Sequence, residues 1–123
     1  MHDDDALSWF EIPTADLARA TRFYAAVLAQ PLREEHGFGE PMAIFPYTDP
    51  GVGGCLREDA AAVRAGGGAL VFLKVDALDA AIARALAAGG RLLQPRTDLP
   101  AGMGAFAHIE DSEGNRVGLH AAA

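Results

Sequence analysis

The spacing of apolar and polar positions along the chain changes twice, in the same order each time. Residues 7–13, "LSWFEIP", alternate and are rich in Trp, Phe and Ile, the period-two pattern of a strand. Over 15–29 the interval lengthens: Leu17, Ala20, Tyr24, Val27 and Leu28 recur at helical spacing and make one apolar face. Asp16 falls in the first turn of that helix, where negative charge suits the helix dipole, and Pro31 blocks its continuation. A second helix is predicted over 77–88, with Leu78, Ile82, Ala85 and Leu86 inward, Asp76 as N-cap and Gly89-Gly90 as the stop. Short strands are expected near 31–36, 41–47 and 52–57, and again near 91–95, 104–110 and 115–121.

This recurrence is an internal repeat. "LSWFEIPTADLARATRFYAAVL" matches "LVFLKVDALDAAIARALAAG" in pattern when Leu17 is set on Leu78, 61 residues on. The turn "TDPG" (48–51) matches "DSEG" (111–114), 63 residues on. A period of half the chain indicates two copies of one supersecondary unit. The predicted fold class is α+β: two β-α-β-β-β modules, 6–57 and 69–121, within one domain spanning 1–123. Residues 58–68, inside "REDAAAVRAGGG", read as the linker. Each module has one helix to cover one sheet face. The other faces are expected to form a U-shaped mixed sheet around a cleft, the usual setting for a small ligand.

Composition narrows the choice of partner. A net charge of −7 provides no basic stripe for nucleic acid. No apolar run approaches the roughly 20 residues that span a bilayer, and "MHDDDALSW" lacks the positive flank and apolar run of a signal peptide, so no membrane association is expected; "MHDDD" reads as a solvated end. The single cysteine, Cys55, excludes an internal disulfide and fits a reducing cytoplasmic setting.

"EIPTADLARATRFYAAVL", "VFLKVDALDAAIARALAAGG" and "DSEGNRVGLH" together resemble the glyoxalase/bleomycin-resistance/extradiol-dioxygenase group, the vicinal oxygen chelate superfamily. The features that carry the resemblance are Asp16-Leu17 with Phe23-Tyr24, Val75-Asp76 with Leu78, Gly89-Gly90, and Asp111 with Gly114-Asn115. It implies paired modules, a cleft usually completed between two chains of a homodimer, and small-molecule chemistry or sequestration. It also implies a divalent metal held by His and Glu side chains from the first and last strands of each module. Matched by motif, those positions are Trp9, Leu70, Gly118 and Cys55. Trp9 and Leu70 offer no side-chain donor, Gly118 has no side chain, and one thiolate does not hold a hard cation. No metal and no other cofactor is therefore expected.

Strand geometry suggests what stands there instead. Asp111-Ser112-Glu113-Gly114 suits a type I turn with Gly114 left-handed, which sets His108 opposite Gly118 and Phe106 opposite His120. Phe106, His108, Glu110, Arg116, Gly118 and His120 then share one face. Glu11 shares a face with Trp9, and Phe72 and Lys74 share one with Leu70. The expected ligand-binding residues are Trp9, Phe72, Lys74, Phe106, His108 and Arg116, with aromatic rings stacking on the ligand. Glu11 and His120 are the candidate catalytic pair for proton transfer.

Simpler roles stand beside these. Glu11 pairs with Lys74 or Arg116, or faces water; His108 partners Glu110 or a ligand acid; Cys55 is a small buried hydrophobe. His36 and His2 read as loop and tail residues, and "PRTDLPAGMGAF" (95–106) as a loop able to cover the cleft. The preferred function is a binder of a small, partly apolar or aromatic molecule. The alternative is a glyoxalase-like lyase or isomerase using Glu11 and His120, with no metal or with a displaced one on His108, His120 and Glu11.

Overall fold

Eleven elements follow one another in the computed structural model, which describes residues 7, 9–37, 39–48, 51–65 and 69–122. The first module is β1 (Trp9–Thr14), α1 (Leu17–Leu28), β2 (Arg33–Gly37), β3 (Glu40–Ile44) and β4 (Gly53–Glu58). A short helix, α2 (Ala60–Ala65), stands where the sequence reads as linker. The second module is β5 (Phe72–Lys74), α3 (Leu78–Ala87), β6 (Arg91–Asp98), β7 (Ala105–Glu110) and β8 (Arg116–Ala121). The expectations for "MHDDD", for residues 49–50 of "TDPG" and for the glycine run 66–68 fall outside the described residues.

The strands divide into two four-stranded mixed sheets of identical order, β1-β4-β3-β2 and β5-β8-β7-β6. In each, the first strand runs parallel to the last and the remaining pairs are antiparallel. The fold is thus α+β, built twice from the same unit. β1 and β5 are both edge strands. No helix among the described residues is long and apolar enough to cross a membrane.

The modules join through their helices. Ala20, Phe23, Tyr24 and Val27 of α1 and Leu78, Ala81 and Ala85 of α3 are buried in one cluster with Ile12, Leu56, Leu73, Ala107 and Leu119 from the two sheets. Small side chains at Ala20, Ala81 and Ala85 allow α1 and α3 to lie against each other. Leu86, expected inward, is exposed, because Ala81 and Ala85 define the packed stripe and Leu86 lies about a quarter-turn further round. Asp16 caps α1, accepting from the Arg19 N–H at 3.0 Å, one position before its expected place in the first turn. Asp76 does not cap α3: the extended cap residue is Ala77, with no side-chain bond, and Asp79 supplies the first-turn negative charge. His36 lies within β2 and is exposed.

A second joint is polar. The turn between β7 and β8 has Gly114 at φ 91°, as its type I geometry with a bulge requires. From this turn the buried Glu113 reaches the start of α1. Its Oε1 accepts from the N–H groups of Ala15 and Asp16, both at 2.9 Å, and from the Arg19 guanidinium at 2.8 Å. Its Oε2 accepts from Arg19 Nε at 2.7 Å and the Ser112 hydroxyl at 2.9 Å. Tyr24 donates to Asp111 Oδ2 at 2.5 Å, and the Asn115 amide donates to the Pro13 carbonyl at 2.8 Å. Burial raises Glu113, but the Arg19, Asp16, Ser112 and Ala15 donors outweigh it and bring the pKa down to about 2. Tyr24 titrates well above the usual phenol range, through burial and the adjacent Asp111 carboxylate.

Candidate functional site

Because both helices fill the shared core, the other face of each sheet is left outward. On the second sheet that face carries Phe72 and Lys74 from β5, Arg116, Gly118 and His120 from β8, and Phe106, His108 and Glu110 from β7. Phe106 pairs with His120 and His108 with Gly118, the register expected from the Gly114 turn. Phe72, Lys74, Phe106 and His120, with Leu99 from the loop after β6, line a mainly apolar cavity of about 430 Å³.

The aromatic wall is continuous. Ring centroids of Phe72 and Phe106 lie 6.0 Å apart, Phe72 and His108 5.4 Å, and Phe106 and His108 5.5 Å. Phe72 lies across its ladder partner Gly118: a Cβ added there would stand 2.3 Å from the Phe72 ring. The glycine is therefore a close-approach position that lets an aromatic ring rest on the sheet. The first sheet repeats the device, with Trp9 and Tyr47 over Gly53, the ladder partner of Trp9.

The two histidines are held differently. Arg116 Nη1 lies 2.9 Å from His108 Nδ1. A guanidinium can only donate, so Nδ1 accepts and the neutral ring carries its proton on Nε2. Burial, and then the Arg116 charge, lower the His108 pKa and favour that neutral form. His120 Nε2 donates to the Met103 carbonyl at 2.9 Å, tying the ring to the 99–104 loop and leaving Nδ1 as its other ring nitrogen. Glu110 is paired with Arg91 at 3.1 Å.

Trp9 and Glu11 do not join this group, since they lie on β1 of the other sheet. Glu11 is half-exposed and paired with Arg57 at 3.2 Å, not with Lys74 or Arg116. Cys55, its ladder partner, is fully buried, and burial followed by the Glu11 charge raises its thiol pKa. Sequence reasoning did not single out Leu99 as a wall residue or the Met103 carbonyl as the His120 partner; both belong to the segment read as a covering loop. A second cavity of about 450 Å³ also has Leu99 in its wall and lies near the start of α3, where Arg96 pairs with Asp79 and Asp98.

The positions matched to the family's metal ligands do not fit a divalent cation. Indole and isobutyl groups stand at Trp9 and Leu70, the Phe72 ring fills the space in front of Gly118, and Cys55 is a buried thiol. Among the described residues, no three His, Cys, Asp or Glu side chains gather as a metal site.

Comparison with known proteins fits this architecture. The protein of the crystal structure titled UcmS2 is 24% identical, with 94% of this chain and 97% of that one covered and a TM-score of 0.69. A glyoxalase/bleomycin resistance protein from Albidiferax ferrireducens is 17% identical over 97% of this chain and 100% of its own, with a TM-score of 0.71. A mutant of the fosfomycin resistance protein FosX from Listeria monocytogenes, complexed with Mn(II) and 1S,2S-dihydroxypropylphosphonic acid, is 19% identical over 97% and 91%, with a TM-score of 0.69. No curated protein sequence matches the chain. The family model of the Glyoxalase/Bleomycin resistance protein/Dioxygenase superfamily matches residues 6–119, nearly the whole chain, and the chain belongs to that superfamily.

Proposed function

We propose that this protein binds a small, partly aromatic molecule on the open face of its second sheet, without the metal used elsewhere in the superfamily. The cavity of about 430 Å³ walled by Phe72, Phe106 and Leu99, with Lys74 and His120 as its polar groups, carries this reading. A mostly apolar concavity with a few placed polar groups is the usual form of a small-molecule site. Stacking on Phe72 and Phe106 needs no cation, so the lack of suitable donors leaves this role intact.

A second copy of the chain completes the cleft. Trp9 and Phe72, at 39% and 47% exposure, are large apolar side chains on two edge strands, which suits a face closed by another protomer. Proton transfer by Glu11 and His120 has less support. Glu11 is engaged by Arg57 on the other sheet, and the Nε2 proton of His120 is engaged by the Met103 carbonyl.

Titration calorimetry of tag-free protein with 2-naphthoate and 2-naphthamide tests the site. At least one probe binds, and Phe72→Ala and Phe106→Ala weaken it while the fold, followed by circular dichroism, persists. Absence of binding by both probes, or binding indifferent to both substitutions, overturns the proposal.

A further inference from the structure

Building on the binding role proposed above, we infer that the ligand is an aromatic monocarboxylate whose acid group is held by Lys74. Lys74 is the only lysine of the chain, and it stands in the wall of the apolar cavity, beside its ladder partner His120. Arg19, Arg33, Arg57, Arg91 and Arg96 each have a carboxylate partner, while Arg84 is held by the Val27 carbonyl and Arg116, on the same face as Lys74, by His108. Among the described residues Lys74 makes no ion pair.

Glu110, the only acidic side chain at the outward positions of β5, β7 and β8, is held by Arg91, and Glu11 by Arg57. His108 accepts from Arg116 and, as an imidazole, supplies no negative charge. Lys74 is exposed at the mouth of the cavity, with its ammonium free of any protein carboxylate among the described residues, so a ligand carboxylate can reach it through a charge-assisted hydrogen bond. A single flexible ammonium suits a single negative charge; a phosphate dianion is usually met by several donors or a guanidinium fork. The Phe72 and Phe106 rings then receive the aromatic body, next to the charge.

The test compares 2-naphthoate with 2-naphthamide, which share a ring system and differ in charge. The acid should bind roughly tenfold or more tightly, and added salt should narrow the gap. Lys74→Met, which keeps the apolar stem, should bring the two probes to equal affinity. Because Lys74 is the sole lysine, the ¹³C signal of its reductively methylated amine should shift with the acid and not with the amide. Equal affinities in the parent protein, both lost in Phe72→Ala, overturn the acid preference and leave the aromatic site standing. Retention of the preference in Lys74→Met also overturns it, and failure of both probes to bind removes the site itself.

Discussion

Replacing Glu113 by Gln should weaken the joint between the two modules by an amount the structure fixes. The carboxylate has no exposed side-chain surface and accepts from two backbone N–H groups of the α1 terminus, from Arg19 twice and from Ser112. Its pKa falls from 4.5 to about 2, a preference for the charged form worth about 3 kcal/mol. The group is depressed in the folded state, so this stabilisation is fully present above the unfolded-state value. It is lost as pH falls through the window from about 4.5 to about 2, with less than half remaining by about pH 3. In Glu113→Gln the amide keeps one acceptor, but its NH2 faces donors, and the charge is gone. Urea unfolding of parent and variant at pH 7 should differ by about 3 kcal/mol with unchanged m, a Tm loss on the order of 10 °C. Repeated at pH 3, the difference should shrink by more than half. A variant as stable as the parent at pH 7, or a deficit that stays constant down to pH 3, refutes the reasoning.

Other outcomes follow from the same structure. Gly118→Ala puts a Cβ into the Phe72 ring and should cost about 1–3 kcal/mol by overpacking; adding Phe72→Ala should recover part of it, and chemical denaturation of the double variant checks this. Tyr24→Phe removes the donor to Asp111 and should cost about 1–3 kcal/mol, read from thermal melts. The buried, raised-pKa Cys55 thiol should react with a thiol reagent only on unfolding; rapid labelling of native protein would contradict its placement. Thermal melts with and without added Mn(II) or Zn(II) should superimpose, since a cation bound to the native state would raise Tm.

The order of elements and the register of β7 with β8 were legible because local signals decide them. The Gly114 turn fixes which residues face each other, and alternation then places Phe106, His108, Gly118 and His120 on one side. Phe72 and Lys74 followed from the same alternation, with β5 parallel to β8. What sequence did not reveal depends on contacts distant along the chain. Glu113 looks like any polar turn residue until the turn is docked on α1, 94 positions from Arg19. Glu11 looked able to reach Lys74 or Arg116, but the modules meet through α1 and α3, which leaves it beside Arg57. Asp76 looked like a cap because Asp favours that role, yet helical backbone begins two residues later. Leu99 is an ordinary apolar loop residue whose position in the wall follows from how the loop closes.

The ring resting on Gly118 has a consequence for substitution there. A carboxylate side chain introduced at Gly118 would land on the Phe72 ring, which would have to swing away or be replaced to admit it. Shrinking Phe72 first would open the second sheet's outward face beside His108 and Phe106. The residues at 72 and 118 are therefore coupled across the ladder: what one position can hold depends on the size and pose of the other.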